Sequence, residues 1–291
     1  MQPNPLPNPL VSTSWLTEHL GEPDLVVVDA SWYLPAMARD ARGEYAAGHI
    51  PGAIFWDLDA LSDSDTPLPH MLPDPQTLGR AIGQLGISNR DRVVVYDGSG
   101  ANLSAARIWW TLRVAGHDAV AVLDGGLGRW RAERRPLDPT VERRAPARFT
   151  VQWRPQLVGS LAGVRSAVQQ GTTQVLDARS PGRFAGTEPE PRPGLRAGHI
   201  PGSRNLPFPE LVDSEGKLHS PEELARRFTA AGVDLLKPIV TSCGSGVTAC
   251  TLALGLHRLG HRDYAVYDGS WSEWGQPAGP PVEPRVVNSE Q

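Results

Sequence analysis

The chain has 291 residues, of which 40% are hydrophobic and 21% charged, enough to bury a sizeable core and, by length, to form about two domains. A formal net charge of −4 excludes a partner drawn in by overall basic character, so neither nucleic acid nor an anionic membrane is expected. Two cysteines cannot staple a chain of this size, the opening MQPNPLPNPL lacks the basic and apolar segments of a signal peptide, and no window reaches the ~18 apolar residues of a membrane helix; a soluble, cytoplasmic protein is expected.

In chain order, LVVVDA at 25–30 is the first continuous, β-branched run, followed by RVVVYDG at 92–98 and AVAVLDGG at 119–126. Such runs suit parallel strands buried on both faces. Between them, DPQTLGRAIGQLG (74–86) and LSAARIWWTLRVAG (103–116) read as helices, each ending on a glycine that can take the left-handed cap. Asp74 precedes Pro75 as a capping residue before a proline at the first helical position. Residues 137–160 carry prolines and charges without a period and predict a linker that wraps the surface.

After the linker the pattern starts again. AAGHIPGAIFWDL at 46–58 returns as RAGHIPGSRNLPF at 196–208, VVVDAS at 26–31 as QVLDAR at 174–179, and VLDGGLGRW at 122–130 as VYDGSWSEW at 266–274. Ser220 and Pro221 repeat the capped helix start, with Glu223 placed to complete a capping box. An interval of roughly 145–150 residues marks tandem domains rather than a solenoid, whose repeats run ~20–50 residues. The βαβα order predicts an α/β fold in which each domain is a mainly parallel sheet with helices on both faces. The domains are expected over 1–140 and 161–291, joined by a linker at 141–160.

Both cysteines lie in TSCGSGVTAC, residues 241–250. KPIVTSC reads as a strand and GVTACTLALGLHRLG as the helix behind it, so Cys243 stands where a strand ends and a helix begins. Ligand sites of open α/β sheets gather there. Gly244 and Gly246 let the backbone curl, so that several N–H groups converge on one point above the helix N-terminus. That point favours an anion and turns a thiol into a nucleophile near neutral pH. Cys250, on an apolar helix, reads as a packing residue. Neither the spacing nor further Cys or His residues match a zinc motif, and a disulfide between the two cysteines is not expected. In the first copy Asp97 takes the thiol's position, so that copy cannot run cysteine chemistry.

CGSGVTAC, the two GHIPG segments, DGSWSEW and GRFAGTEPEPR together resemble the two-domain sulfurtransferases of the rhodanese superfamily, over essentially the whole chain. The resemblance implies two tandem rhodanese-like domains, the second of them catalytic, with no cofactor and no metal. The loop is similar to those of members that use 3-mercaptopyruvate, whereas members that use thiosulfate typically carry charged residues where this chain has Gly244 and Ser245. By that resemblance Cys243 takes sulfur from 3-mercaptopyruvate, becomes a persulfide, releases pyruvate and passes the sulfur to a thiol, thioredoxin or cyanide. Amide donors at Gly244, Ser245, Gly246, Val247 and Thr248 would hold the persulfide. The departing enolate needs a proton; the family's relay maps onto Ser245, His70 in PHMLP and Asp59 in WDLDA, which implies a site built from both domains. Arg183 and Arg192 match the arginines that bind the substrate's carboxylate and ketone, a role that suits a bidentate guanidinium. His49 and His199, present in both copies, read as structural, and the nine tryptophans as mostly packing.

Three other readings compete. A cysteine phosphatase needs an arginine after five intervening residues, where this chain has Ala249. Thiosulfate as donor is the nearest alternative, and a non-catalytic sulfur-carrier or binding module a distant one. A pure interaction module has no reason to assemble Cys243, Ser245, Arg183 and Arg192.

Overall fold

The computed structural model describes residues 6, 9–34, 37–141 and 143–283, so the sequence reading of residues 1–10 lies largely outside the described residues. They form two compact units. The first comprises Met1–Thr66, Leu72–Pro155 and Val212–His219 as far as these are described; the second comprises Pro67–Met71, Gln156–Leu211 and Ser220–Gln291 likewise. Each unit thus takes in a short segment from the other half of the chain.

In the first unit, strands β1 (Leu10–Val11), β2 (Leu25–Asp29), β3 (Ile54–Phe55), β4 (Arg92–Tyr96) and β5 (Val120–Leu123) lie in the order β1-β5-β4-β2-β3. Every pairing is parallel. All residues of β2, β4 and β5 are buried, which is why these strands are written as unbroken valine-rich runs rather than alternating ones. Around the sheet stand α1 (Thr13–His19), α2 (Ala41–Ala47), α3 (Pro75–Gln84), α4 (Leu103–Val114) and α5 (Gly126–Ala132). In α4 every residue except Arg113 is buried, including Trp109 and Trp110.

The linker is held down by glycines that helix propensity alone disfavours. A Cβ on Gly83 of α3 would stand 2.4 Å from the Ala147 carbonyl oxygen, and one on Gly79 3.1 Å from that of Phe149. The Ala147 N–H donates to the Gly83 carbonyl at 2.8 Å, and Phe149 is buried. Glycine within α3 costs helix stability and admits close backbone approach in exchange.

The second unit repeats the plan. Strands β6 (Val158–Gly159), β7 (Gln174–Asp177), β8 (Arg204–Asn205), β9 (Ile239–Ser242) and β10 (Tyr264–Tyr267) follow the order β6-β10-β9-β7-β8, again all parallel. Its helices are α6 (Leu161–Gln170), α7 (Pro181–Ala185), α8 (Pro221–Ala230), α9 (Ala249–Arg258) and α10 (Ser270–Trp274). Trp271 and Trp274 of α10 join Val164, Val175, Ile200 and Tyr267 in a buried cluster.

Local signals read from the sequence recur here. Asp74 caps α3 by accepting the N–H groups of Gln76 and Thr77, and Ser220 caps α8 by accepting that of Glu223. The capping box at Ser220 is only half made. The Glu223 carboxylate turns instead to Arg226 and Arg227, whose charged donors outbid one backbone amide and hold its pKa down, to about 2. The repeated histidines serve the framework twice over. His49 Nδ1 pairs with the Tyr45 carbonyl and its ring stacks on Tyr45; His199 Nδ1 pairs with the Phe184 carbonyl and its ring stacks on Phe184. Among the described residues, no helix is long and apolar enough to cross a membrane.

Candidate active site

Strand β9 ends at Ser242, and Cys243 follows in a loop that closes into α9 at Ala249. The thiol residue is 2% exposed, and Gly246 takes a φ of +74° that favours glycine. The loop's first carbonyls are turned away from its interior by α10. Cys243 C=O accepts the Trp271 N–H at 2.9 Å, and Gly244 C=O accepts the N–H of Ser272 at 2.8 Å and its hydroxyl at 2.7 Å. The Cys243 N–H donates to Ser270 Oγ at 3.1 Å. Among the described residues, the N–H groups of Gly244, Ser245, Val247 and Thr248 meet no protein acceptor. Donors without acceptors at the start of a helix form a site for an anion. Neither cysteine is in a disulfide; the buried Cys250 donates its thiol to the Gly246 carbonyl at 3.2 Å.

The first unit shows what such a loop holds. Asp97 stands there after β4, and its carboxylate accepts the N–H and hydroxyl of Ser99 on one oxygen and the N–H of Ala105, in the first turn of α4, on the other. An anion from the chain itself fills that cradle. Beside it, Arg39 donates to the Gly98 carbonyl, to Glu44 and to the Tyr33 hydroxyl, so this guanidinium is also used up internally. Asp97→Ala would leave the buried N–H of Ala105 and the half-buried N–H and hydroxyl of Ser99 without their acceptor. It is expected to lower stability by about 2–3 kcal/mol, read as a fall in the urea midpoint at unchanged slope; an unchanged midpoint would contradict this account of the loop.

In the second unit a guanidinium also lies over the loop glycine. A Cβ on Gly244 would stand 2.9 Å from Arg183 Nη2. Arg183, on α7, donates through Nε (3.2 Å) and Nη2 (2.6 Å) to one oxygen of Glu190. The other Glu190 oxygen accepts Arg179 Nη1 at 2.7 Å. Arg179 is wholly buried, donates to Asp177 and to the Gly198 carbonyl, and lies 4.2 Å over the Trp271 ring. Burial works against its charge, but Asp177 and Glu190 outweigh it and raise its pKa above the ordinary arginine value.

Of the relay residues expected from the sequence, the structure brings two together. His70 belongs to the second unit through the segment Pro67–Met71, is buried, and has Nδ1 2.9 Å from Ser245 Oγ. Its φ of +62° is uncommon for histidine and is held in place by its surroundings. Asp59 lies in the first unit, where its carboxylate accepts the Trp32 indole N–H at 3.0 Å. Arg192 lies two residues beyond Glu190, half-buried, in the segment between α7 and β8. Val247 is buried in the loop and Thr248 borders α9. Among the described residues no group of three or more His, Cys, Asp or Glu side chains is arranged to hold a metal.

Sequence reasoning missed Asp177, Arg179, Glu190, Ser270 and Ser272. All five sit inside segments singled out for other reasons, namely QVLDAR, GRFAGTEPEPR and DGSWSEW. A charged residue such as Arg179 directly after a strand end is the one signal that could have been followed.

Comparison with known proteins shows the family. A family of rhodanese-like domains matches residues 12–133 and again 160–277. The chain is 47% identical over 296 residues to thiosulfate/3-mercaptopyruvate sulfurtransferase 1, mitochondrial, of Arabidopsis thaliana, covering 94% of this chain and 78% of that one. It is 46% identical over 276 residues to 3-mercaptopyruvate sulfurtransferase of Homo sapiens, covering 93% of each. The crystal structure of SseA from Escherichia coli, described with the rhodanese fold of 3-mercaptopyruvate sulfotransferases, superposes with a TM-score of 0.84 at 40% identity over 91% of this chain and 100% of that one. With two rhodanese-like domains of identical strand order and this breadth of relatives, the chain belongs to the two-domain sulfurtransferases of the rhodanese family.

Proposed function

We propose that the protein moves a sulfur atom from 3-mercaptopyruvate to a thiol, thioredoxin or cyanide acceptor through a persulfide on Cys243, releasing pyruvate. The observation that carries this reading is the pair of loops: one cradle is filled by the Asp97 carboxylate, the other holds a thiol among N–H groups that have no protein acceptor among the described residues. A persulfide anion fits where the carboxylate fits. Cys243 Sγ attacks the donor sulfur, the S–S bond forms as the donor's C–S bond breaks, and the electron pair leaves on carbon as the pyruvate enolate. Ser245 and His70, in contact at 2.9 Å, support transfer of a proton to that carbon. Asp59 is assigned to the relay on the resemblance alone. Arg183 and Arg192 take the donor's carboxylate and ketone, and the N–H groups of Gly244, Ser245, Gly246, Val247 and Thr248 hold the outer sulfur. Cys243 must stay reduced between cycles, which suits the cytoplasm proposed from the sequence; one relative carries a mitochondrial name.

Thiosulfate is the second reading, favoured by the Arabidopsis relative whose printed name pairs both donors. Against it, the positions after Cys243 carry no charge, and a side chain at 244 would displace Arg183. Initial rates with the two donors at equal concentration, together with intact mass after donor treatment, test the proposal. The expected result is at least a tenfold preference for 3-mercaptopyruvate and a gain of one sulfur atom removable by dithiothreitol. A preference for thiosulfate would replace the donor, and sulfur uptake without turnover would favour a carrier module.

A further inference from the structure

Four charged side chains run in sequence from the end of β7 to the loop: Asp177, Arg179, Glu190 and Arg183. The first three are 2%, 0% and 4% exposed as side chains, and Arg183 is 20% exposed. Glu190 divides its two oxygens between the arginines, so it is bonded on one side to a residue that cannot move and on the other to one that borders Gly244. Arg179 cannot move because Asp177, the Gly198 carbonyl and the Trp271 ring hold it on three sides. Among the described residues, Arg183 Nη1 meets no acceptor. The anchored arginine thus keeps donors unspent.

We infer that Glu190 is a positioning residue of the donor site, fixing the Arg183 guanidinium beside Gly244, with buried Arg179 fixing Glu190 in turn. This rests on the reading of Arg183 as a ligand for the donor's carboxylate. The physical reason is entropic. A free arginine side chain has several rotatable bonds to immobilise each time a carboxylate binds, whereas one already clamped loses little more. A carboxylate that does the clamping must itself be rigid, and burial against a second guanidinium makes it so at the cost of desolvating the group. The first unit supports the design by contrast. Arg39 is likewise paired with a glutamate near Gly98, here through both oxygens of Glu44, but it also donates to the Gly98 carbonyl and to Tyr33.

The test is steady-state pyruvate release from 3-mercaptopyruvate by Glu190→Gln, Arg183→Ala and the double variant. Glu190→Gln should raise KM about tenfold with kcat within about twofold, because the clamp acts on binding and not on bond breaking. In the Arg183→Ala background, where there is nothing left to clamp, the same change should alter KM by less than about twofold. A merely structural role would instead multiply through both backgrounds. Glu190→Asp, which keeps the charge and shortens the reach, should show the same rise in KM and serves where the glutamine variant folds poorly. An unchanged KM in Glu190→Gln, or multiplicative effects, would overturn the inference while leaving Arg183 in place. An unchanged KM in Arg183→Ala would instead remove the donor reading beneath it.

Discussion

Cys243→Ser is expected to abolish sulfur uptake while leaving the fold intact. The bonds that fix this residue are made by its backbone: its N–H goes to Ser270 and its C=O to Trp271. A serine keeps both, so unfolding free energy should change by no more than about 1 kcal/mol. The chemistry has no such tolerance. A hydroxyl two residues before Ser245 is not ionised near neutral pH and does not attack thiol sulfur, and loss of a nucleophile costs on the order of 10⁴–10⁶-fold in turnover. Pyruvate release should fall to background, and the mass of the treated variant should stay unchanged. Sulfur uptake that persisted would move the reaction to Cys250. Its thiol is engaged with the Gly246 carbonyl and buried within α9, a poor place from which to reach a substrate.

Arg179→Ala is expected to destabilise the second unit by about 3–5 kcal/mol. The substitution removes the cation that pairs with Asp177 and leaves Glu190 with Arg183 alone, and both carboxylates are almost fully buried. Lysine should rescue little. One ammonium cannot reproduce a planar fork that serves Asp177, Glu190 and the Gly198 carbonyl together while lying flat on Trp271. Urea denaturation of both variants would check this, with Arg226→Ala as the control. The Arg226–Glu223 pair has a guanidinium 66% exposed, and a solvent-screened pair of this kind contributes little. Equal losses for Arg179→Ala and Arg226→Ala would refute the account of the buried chain.

The sheets were legible because parallel strands buried on both faces have to be continuous and β-branched, and Val26 to Val28 and Val93 to Val95 satisfy nothing else. The candidate nucleophile could be singled out because a thiol followed by Gly244 and Gly246 at a strand end has a local explanation. What escaped notice depends on contacts between distant positions. Glu190 gains its meaning only when α7 turns Arg183 back towards it and the end of β7 delivers Arg179 to its other oxygen. No period or spacing announces such a meeting. The half-made capping box at Ser220 failed for a similar reason: Arg226 and Arg227 lie within reach of the same carboxylate, and the sequence pattern does not rank competing donors.

His70 reaches Ser245 because the five residues Pro67–Met71, encoded in the first half, are built into the second unit. The second unit is therefore not contiguous in sequence. A gene fragment beginning after Pro155 would still specify the sheet β6-β10-β9-β7-β8, the thiol loop and the arginine clamp. It would omit the imidazole that contacts Ser245.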